Sequence, residues 1–235
     1  MASADQAKQC SPNVTWQEGN LSREARWRAL DARGATVWLT GLPASGKSTI
    51  GAGVEERLVA SGRFAYLLDG DNLRHGICSD LGFSEADRVR NIIRAGELAR
   101  LFADAGAIAI VALVSPLAAA RDEVRALHAE SGLRFLEVFV DTPIEVCTKR
   151  DPKHLYARAL AGEIHGFTGV DDPYEAPSSP DLTLGPQFAV PDAVNAVLAA
   201  LDDVPPEHGG ELRSRGRLSR HPGARPAPRT NGVQR

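Results

Sequence analysis

Cysteine is scarce in this sequence, with Cys10, Cys78 and Cys147 the three among 235 residues. They are far apart, form no C-x-x-C pair and lie at no spacing to histidine that would build a zinc site. The sequence therefore excludes a disulfide framework and a cysteine-based zinc site. An odd, scattered set of thiols is typical of a reducing compartment, so we expect a cytoplasmic protein.

Long hydrophobic runs are also lacking. The longest apolar run covers residues 105–114 and includes one glycine, which is the length of a strand and too short to cross a membrane. The N-terminus has no basic start followed by an apolar stretch, so no export signal is predicted. We expect no membrane partner and one sizeable core.

Acidic residues are scarce at one end of the chain. The net charge is −3, but residues 211–235 contain seven arginines and one acidic residue, so this segment carries +6 and the rest −9. A basic segment without interleaved aromatic residues is more often disordered than bound to nucleic acid. We predict no nucleic-acid partner, a flexible N-terminus over residues 1–12, a domain over 13–203 and a disordered arginine-rich tail over 204–235.

One motif stands out, because residues 41–49 satisfy G-x-x-x-x-G-K-[ST], the pattern of a phosphate-binding loop. In such a loop backbone N–H groups surround a polyphosphate, Lys47 reaches its β and γ oxygens, and Ser48 offers a hydroxyl to Mg²⁺. The predicted ATP-binding residues are Gly41, Leu42, Pro43, Ala44, Ser45, Gly46, Lys47, Ser48 and Thr49. The alternative is a glycine-rich turn without a ligand, but a β-prone run at 35–40 and a helix-compatible run at 50–60 supply the flanking elements that the motif needs.

Strand and helix patterns alternate through the rest of the chain. Strands are predicted at 64–68, 107–114, 135–140 and 181–184. Helices are predicted at 87–106, from about 117 to 131 and at 191–202. A further short helix is predicted to end at residue 150. The alternation predicts an α/β fold of the P-loop NTPase type, with a parallel sheet and helices on both faces. Residues 151–180 break the pattern with charges, glycines and prolines, which predicts a mobile lid.

Two acidic residues follow the predicted strand at 64–68. Asp69 and Asp71 stand at its carboxyl end, which is where open α/β sheets bind ligands. Both would therefore lie beside the phosphate loop. This position makes them candidates for binding a metal ion and for accepting a proton.

With the loop, three further stretches closely resemble adenylyl-sulfate kinases. They are DGDNLRHG at 69–76, the helix at 87–106 and GFTGVDDPYE at 166–175, and the likeness runs from about residue 13 to residue 200. The resemblance implies that ATP phosphorylates the 3′-hydroxyl of adenosine 5′-phosphosulfate (adenylyl sulfate). The products would be 3′-phosphoadenylyl sulfate and ADP, in sulfate assimilation.

The resemblance also implies residue roles. Asp71 would be the base for the 3′-hydroxyl, Lys47 would contact the transferred phosphate, and Asp69 would position Mg²⁺ with Ser48. The residues implied to contact adenylyl sulfate are Asp71, Asn72, Leu73, Arg74, Phe83, Arg88, Asn91, Val114, Ser115, Lys153, Gly166 and Phe167.

The physical character of these side chains agrees with such roles. Arg74 and Arg88 offer forked donors for phosphate or sulfate oxygens. Phe83 and Phe167 can stack on an adenine ring, although core packing is the alternative for both. Ser115 either forms a phosphoserine intermediate or hydrogen-bonds the substrate, and the second reading is favoured because no evident base is adjacent in sequence.

Three positions depart from the usual family pattern. Arg90 stands where a glutamate is customary, Leu117 where an aromatic residue or histidine is common, and His154 where a glycine is usual. None removes a residue that the chemistry needs.

Two other functions remain open. The chain could be a kinase for another small hydroxyl substrate, or a nucleotide-binding regulatory subunit without turnover. Lys47, Ser48, Asp69 and Asp71 argue against the second. A second copy of the chain and a sulfate adenylyltransferase are the candidate protein partners.

Overall fold

The fold is a single parallel sheet. A computed structural model of the chain describes residues 14–15, 17 and 19–203. Its strands lie in the order β2-β3-β1-β4-β5, and each neighbouring pair is parallel. The strands are β1 (Ala35–Thr40), β2 (Ala65–Asp69), β3 (Ile108–Ala112), β4 (Arg134–Val140) and β5 (Leu182–Leu184). The strand that leads into the phosphate loop, β1, is therefore central, and all of its residues are buried.

Helices connect the strands and cover both faces of the sheet. They are α1 (Arg23–Leu30), α2 (Lys47–Ala60), α3 (Gly70–Arg74), α4 (Glu85–Ala105), α5 (Ala118–Glu130), α6 (Ile144–Arg150), α7 (Leu155–Leu160) and α8 (Val190–Asp202). Two buried hydrophobic clusters follow from this arrangement. Val37 and Leu39 of β1 pack with α2 and α8 on one face, whereas Trp38 packs with α4 and α5 on the other. This is the two-residue alternation of a strand that is buried on both sides.

The longest helix, α4, has clear sequence signals at both ends. The Ser84 hydroxyl accepts a hydrogen bond from the backbone N–H of Asp87 and caps the first turn. Gly106 ends the helix with φ 106°, a left-handed conformation that glycine adopts without strain. A buried stripe that includes Ile92, Ala95 and Ala99 packs α4 against the sheet, and Arg88 near its start contacts Thr168.

A side chain hydrogen-bonds to one edge of the sheet. β2 is the edge strand, and the backbone N–H of Leu67 donates to the carboxylate of Glu55 on α2 at 2.7 Å. Phe64 and Tyr66, next to it, are 58% and 50% exposed. An outward N–H of the edge strand is thus satisfied from within the chain.

The predicted fold class is confirmed, including the parallel sheet with helices on both faces. Helix α3 was not predicted, and it directly follows β2. The predicted flexible N-terminus and arginine-rich tail lie outside the described residues, and the mobility of the lid stays a prediction. None of the helices in the described part of the chain is long and apolar enough to cross a membrane.

Candidate active site

The phosphate loop has the backbone shape that its sequence predicts. Gly41 has φ 149° and Gly46 has φ 110°, and a Cβ on Gly41 would lie 2.6 Å from the carbonyl oxygen of Val140. Only glycine fits at position 41 for this reason. Gly46 caps α2, whose first turn contains Lys47 and Ser48 and no acidic residue. The N–H groups in the first turn of α2 therefore have no carboxylate from the same turn beside them. They form a site that suits an anion.

Lys47 is folded back into its own loop. It is 7% exposed, and its Nζ donates to the carbonyl oxygens of Gly41 and Leu42 at 2.9 and 2.7 Å and to Ser45 Oγ at 3.3 Å. Burial lowers the pKa of Lys47 to about 8, although the nearby Cys147, Asp69 and Asp71 act in the opposite direction. Phosphate oxygens would replace neutral carbonyl acceptors around this ammonium and favour its charged form.

Ser48 and Asp69 form a pair of oxygen ligands beside the loop. Ser48 Oγ donates to Asp69 Oδ2 at 2.6 Å, and the other oxygen of Asp69 accepts the backbone N–H of Asp71 at 2.9 Å. Hydroxyl and carboxylate oxygens suit Mg²⁺, which usually takes one or two protein ligands and completes its shell with phosphates and water. Among the described residues no group of three or more His, Cys, Asp or Glu could hold a metal ion. The donor set therefore fits an ion that arrives with a nucleotide.

Asp71 lies one turn further along, on α3, and meets the lid. Its carboxylate is 65% exposed and forms a salt bridge with Lys153, which is 59% exposed. Since both side chains are accessible, the pair is worth little stability and can open readily. The structure thus brings a proposed base and a proposed lid cation into contact.

Arg74 and Phe83 form a second group at the mouth of the site. The Arg74 guanidinium lies 4.3 Å from the centre of the Phe83 ring and donates to the carbonyl oxygens of Leu81 and Gly82. Phe83 is 68% exposed, so the core-packing alternative is wrong for this residue. The alternative stays open for Phe167, which is half-buried with its ring edge against Tyr156 at a centroid distance of 5.0 Å.

Arg88 holds the lid against α4. It donates from Nε to the carbonyl oxygen of Phe83 at 2.9 Å, from Nη1 to Thr168 Oγ1 at 2.5 Å, and from Nη2 to the carbonyl oxygen of Gly166. Its Nη2 also lies 3.0 Å from the carboxylate of Asp172. The resemblance assigns Arg88 to the substrate, but in this structure its Nη1 and Nη2 groups bind lid residues instead.

The remaining predicted contacts differ in accessibility. Asn91 is 3% exposed, and its Oδ1 is a buried acceptor without a hydrogen-bond partner in the described part of the chain. An unpaired buried acceptor is costly, so Asn91 is suited to a ligand donor. Asn72 is exposed, whereas Leu73 packs in the hydrophobic core, and a ligand would meet Leu73 through its backbone.

Ser115 is buried at the end of β3, next to the half-buried Val114. It is 1% exposed and has φ 42°, a strained conformation for a residue with a Cβ. Its hydroxyl accepts from Trp38 Nε1 at 3.1 Å and donates to Thr40 Oγ1 at 2.9 Å. The hydroxyl is therefore part of an internal network.

Two residues beside the loop were missed by sequence reasoning. Thr142 Oγ1 and Arg150 Nη1 both donate to the carbonyl oxygen of Ser45, at 2.9 and 3.2 Å. Their positions were the available signal. Thr142 follows β4 at the edge of the sheet where ligands bind, and Arg150 is the last residue of α6.

The departures from the family pattern also have structural counterparts. Arg90 pairs with Asp87 at 2.9 Å on the surface of α4. His154, which stands where glycine is usual, has φ 55° and carries the strain that glycine would avoid.

The chain is similar to known proteins over this whole region. A family model described as adenylylsulphate kinase matches residues 33–185. The chain is 51% identical over 174 residues to the adenylyl-sulfate kinase of Clostridium acetobutylicum, covering 74% of this chain and 86% of that protein. It is also 55% identical over 172 residues to the bifunctional enzyme NodQ of Rhizobium sp. (strain N33). That match covers 73% of this chain but only 26% of the relative.

A solved structure gives the same picture. The Mycobacterium tuberculosis APS kinase CysC, in complex with AMPPNP and APS, is 50% identical and superposes with a TM-score of 0.72. The match covers 73% of this chain and 99% of that one.

Proposed function

This chain belongs to the adenylyl-sulfate kinase family, and from that premise we propose that it transfers the γ-phosphate of ATP to the 3′-hydroxyl of adenylyl sulfate. The products are 3′-phosphoadenylyl sulfate and ADP, and the reaction belongs to sulfate assimilation. The observation that carries the proposal is the Ser48–Asp69 contact of 2.6 Å between the phosphate loop and the strand end that presents Asp71. It supports the proposal because it joins the phosphate loop to the strand end that precedes the proposed proton acceptor.

The loop and Lys47 bind the ATP phosphates, and Ser48 and Asp69 are the residues that would hold Mg²⁺. When bound, the ion neutralises charge on the β- and γ-phosphates. In this structure Lys47 donates to the carbonyl oxygens of Gly41 and Leu42, and phosphate oxygens would take the place of these acceptors.

Asp71 takes the proton of the 3′-hydroxyl as the reaction proceeds. The 3′-oxygen bonds to the γ-phosphorus, the bond from that phosphorus to the bridging oxygen breaks, and ADP leaves with the electron pair. Lys153 lies on the Asp71 carboxylate in this structure, so substrate binding has to displace the ammonium toward the substrate's own negative charge. Ser115 acts as a buried hydrogen-bonding group, since its hydroxyl is enclosed and engaged with Trp38 and Thr40.

Adenylyl sulfate is held between the Phe83 side of the site and the lid. Arg74 and Asn91 supply polar contacts, and Phe83 and Phe167 stack on the adenine. Arg88 and Gly166 join the lid to this surface. These roles follow from the family resemblance and from the exposed ring of Phe83 and the unpaired oxygen of Asn91.

The test is a coupled assay of ADP release from Mg²⁺·ATP with and without adenylyl sulfate, together with direct detection of the 3′-phosphorylated product. We expect release to depend on adenylyl sulfate and to be lost in Lys47→Met. Stimulation by a different small alcohol, but not by adenylyl sulfate, would favour the other kinase reading. Nucleotide binding without turnover on any acceptor would favour the regulatory reading.

The partners and location are further parts of the proposal. We place the protein in the cytoplasm, with a homodimer and a sulfate adenylyltransferase as candidate assemblies. The relative NodQ is described as bifunctional, and it supports the idea that this kinase fold occurs with a second activity. Light scattering of the purified chain, alone and with a sulfate adenylyltransferase, tests both assemblies.

A further inference from the structure

Arg121 on α5 is the most enclosed arginine beside the site, and none of the roles above uses it. It is 2% exposed. Each of its three nitrogens donates to a different acceptor. Nε donates to Glu137 Oε1 at 2.9 Å, Nη1 to the carbonyl oxygen of Ser115 at 2.6 Å, and Nη2 to the carbonyl oxygen of Glu175 at 2.7 Å.

These acceptors belong to three separate parts of the molecule. Glu137 lies on β4 and compensates the buried charge. Ser115 follows β3 in a strained conformation, at a position assigned to adenylyl sulfate. Glu175 ends the GFTGVDDPYE stretch, in the C-terminal part of the lid, and contacts Pro116 and Ala118.

The end of the lid is tied to the same place by other contacts. The Tyr174 hydroxyl lies 2.9 Å from Thr40 Oγ1, directly before the phosphate loop. The backbone N–H of Glu175 donates to the carbonyl oxygen of Pro116 at 2.9 Å, and its carboxylate accepts the N–H of Ala118 at 2.6 Å. These hydrogen bonds tie residues 174–175 to β1 and to the loop after β3.

We propose that Arg121 is a positioning residue that fixes the C-terminal end of the lid to the loop after β3, and thereby sets the adenylyl-sulfate site. This rests on the proposed function. The planar guanidinium serves three acceptors at fixed angles, which a lysine ammonium on a flexible chain does not reproduce. Losing this geometry weakens the hold on the Ser115 carbonyl and on the Glu175 carbonyl together, while the ATP loop keeps its own contacts.

Arg121→Lys tests this, with Arg125→Lys as the matched control. Arg125 also contacts Glu137, at 3.1 Å, and Asp181 at 2.9 Å, but in the described part of the chain it hydrogen-bonds neither Ser115 nor Glu175. We expect Arg121→Lys to raise KM for adenylyl sulfate roughly tenfold, the loss of about one charge-assisted hydrogen bond, with KM for ATP within about twofold. Arg125→Lys should leave both values near those of the unaltered chain. Equal changes in the two KM values, or a lower Tm with unchanged KM values, would show that Arg121 only supports the fold.

A second readout does not depend on activity. Amide hydrogen exchange of the ligand-free protein should be faster over residues 166–175 in Arg121→Lys and unchanged in Arg125→Lys. If Arg121→Lys folds poorly, Tyr174→Phe removes one contact of the same lid end and should raise exchange there in the same direction. Unchanged exchange in Arg121→Lys would overturn the inference, even if the chain is an active kinase. The same holds for Tyr174→Phe if that variant has to replace Arg121→Lys. Altered exchange in a chain that adenylyl sulfate does not stimulate would instead retain the positioning role and reject the proposed function.

Discussion

At the scale of single residues, we expect Lys47 to link proton uptake to nucleotide binding. Burial lowers its pKa to about 8 in the nucleotide-free protein, and phosphate oxygens favour the charged form. We therefore expect affinity for ADP to be full below pH 8 and to fall above it, by up to about tenfold per pH unit. Calorimetric titration between pH 7.5 and 9.5 measures this, and proton uptake near pH 8 accompanies it.

Lys47→Arg is the control for that measurement, since arginine stays charged throughout the range. Its ADP affinity, whatever its absolute value, should not change with pH. A constant affinity of the unaltered chain up to pH 9.5 would contradict the prediction.

The two aspartates near the loop should respond differently to loss of charge. Asp71→Asn removes the proton acceptor, so we expect kcat to fall by about 10²–10⁴ with KM for ATP little changed. Asp69→Asn should instead weaken the response to Mg²⁺, because Asp69 contacts Ser48 directly. Steady-state kinetics with Mg²⁺ titrated separately distinguishes them, and a near-normal kcat in Asp71→Asn beside a large loss in Asp69→Asn would reverse the roles.

The residue scale also shows where sequence reasoning stops. The loop glycines and Lys47 were predictable because their spacing encodes a local backbone shape. The partners of Arg88 were not, since Thr168 and Gly166 are distant in sequence and meet it only through the fold. The exposure of Phe83 has a short-range signal, since Gly82 and Ser84 beside it are typical of a loop.

At the scale of elements, the lid should act on one substrate. Phe167→Ala should weaken the binding of adenylyl sulfate by about 1–3 kcal/mol, because a stacking contact is lost. The binding of ATP should change much less. Lys153→Ala should reduce kcat as well as affinity for adenylyl sulfate, because its charge acts in the closed state. Separate titration of the two substrates measures both effects.

Val170→Ala is a suitable control, since Val170 is 37% exposed on the same segment and contributes no ring or charge. It should behave like the unaltered chain. Equal weakening toward ATP and adenylyl sulfate in the Phe167 and Lys153 variants would mean that these residues merely support the fold.

Elements with a continuous or periodic apolar pattern were predictable, and β1 matches its predicted range of 35–40. Helix α3 was not, because its five residues are too few to show a period and begin with glycine. It forms because Asp69 caps it through the backbone N–H of Asp71 and because Leu73 is buried. Tertiary packing thus decides a conformation that local propensity leaves open.

At the scale of the whole molecule, His128 should govern part of the acid sensitivity of the fold. It is fully buried between the carbonyl oxygen of Val124 and Thr36 Oγ1, and burial lowers its pKa from 6.5. A depressed pKa means that protonation favours the unfolded chain. Its contribution to stability is present above pH 6.5 and is lost as the pH falls toward the native pKa, by up to about 1.4 kcal/mol per pH unit.

Urea unfolding from pH 7.5 to 5.0 measures this dependence. His128→Gln should be less stable at pH 7.5 but show a flatter decline. His165→Gln should match the unaltered chain, since the His165 side chain is 86% exposed. A decline of the same slope in His128→Gln would assign the acid sensitivity to other groups.

The contact between Glu55 and the edge strand has a consequence for colloidal behaviour. An uncovered edge with exposed aromatic side chains is a template on which another chain can add a strand. Glu55 occupies one of the hydrogen-bonding positions that such an addition would use, at Leu67, and brings a negative charge to the flank of Phe64 and Tyr66. Glu55→Ala should therefore form insoluble aggregates faster than Glu56→Ala, a neighbouring change with the same loss of charge, when concentrated samples are followed by turbidity. Equal rates would mean that the charge alone, and not its place on the strand, keeps concentrated solutions of this chain clear.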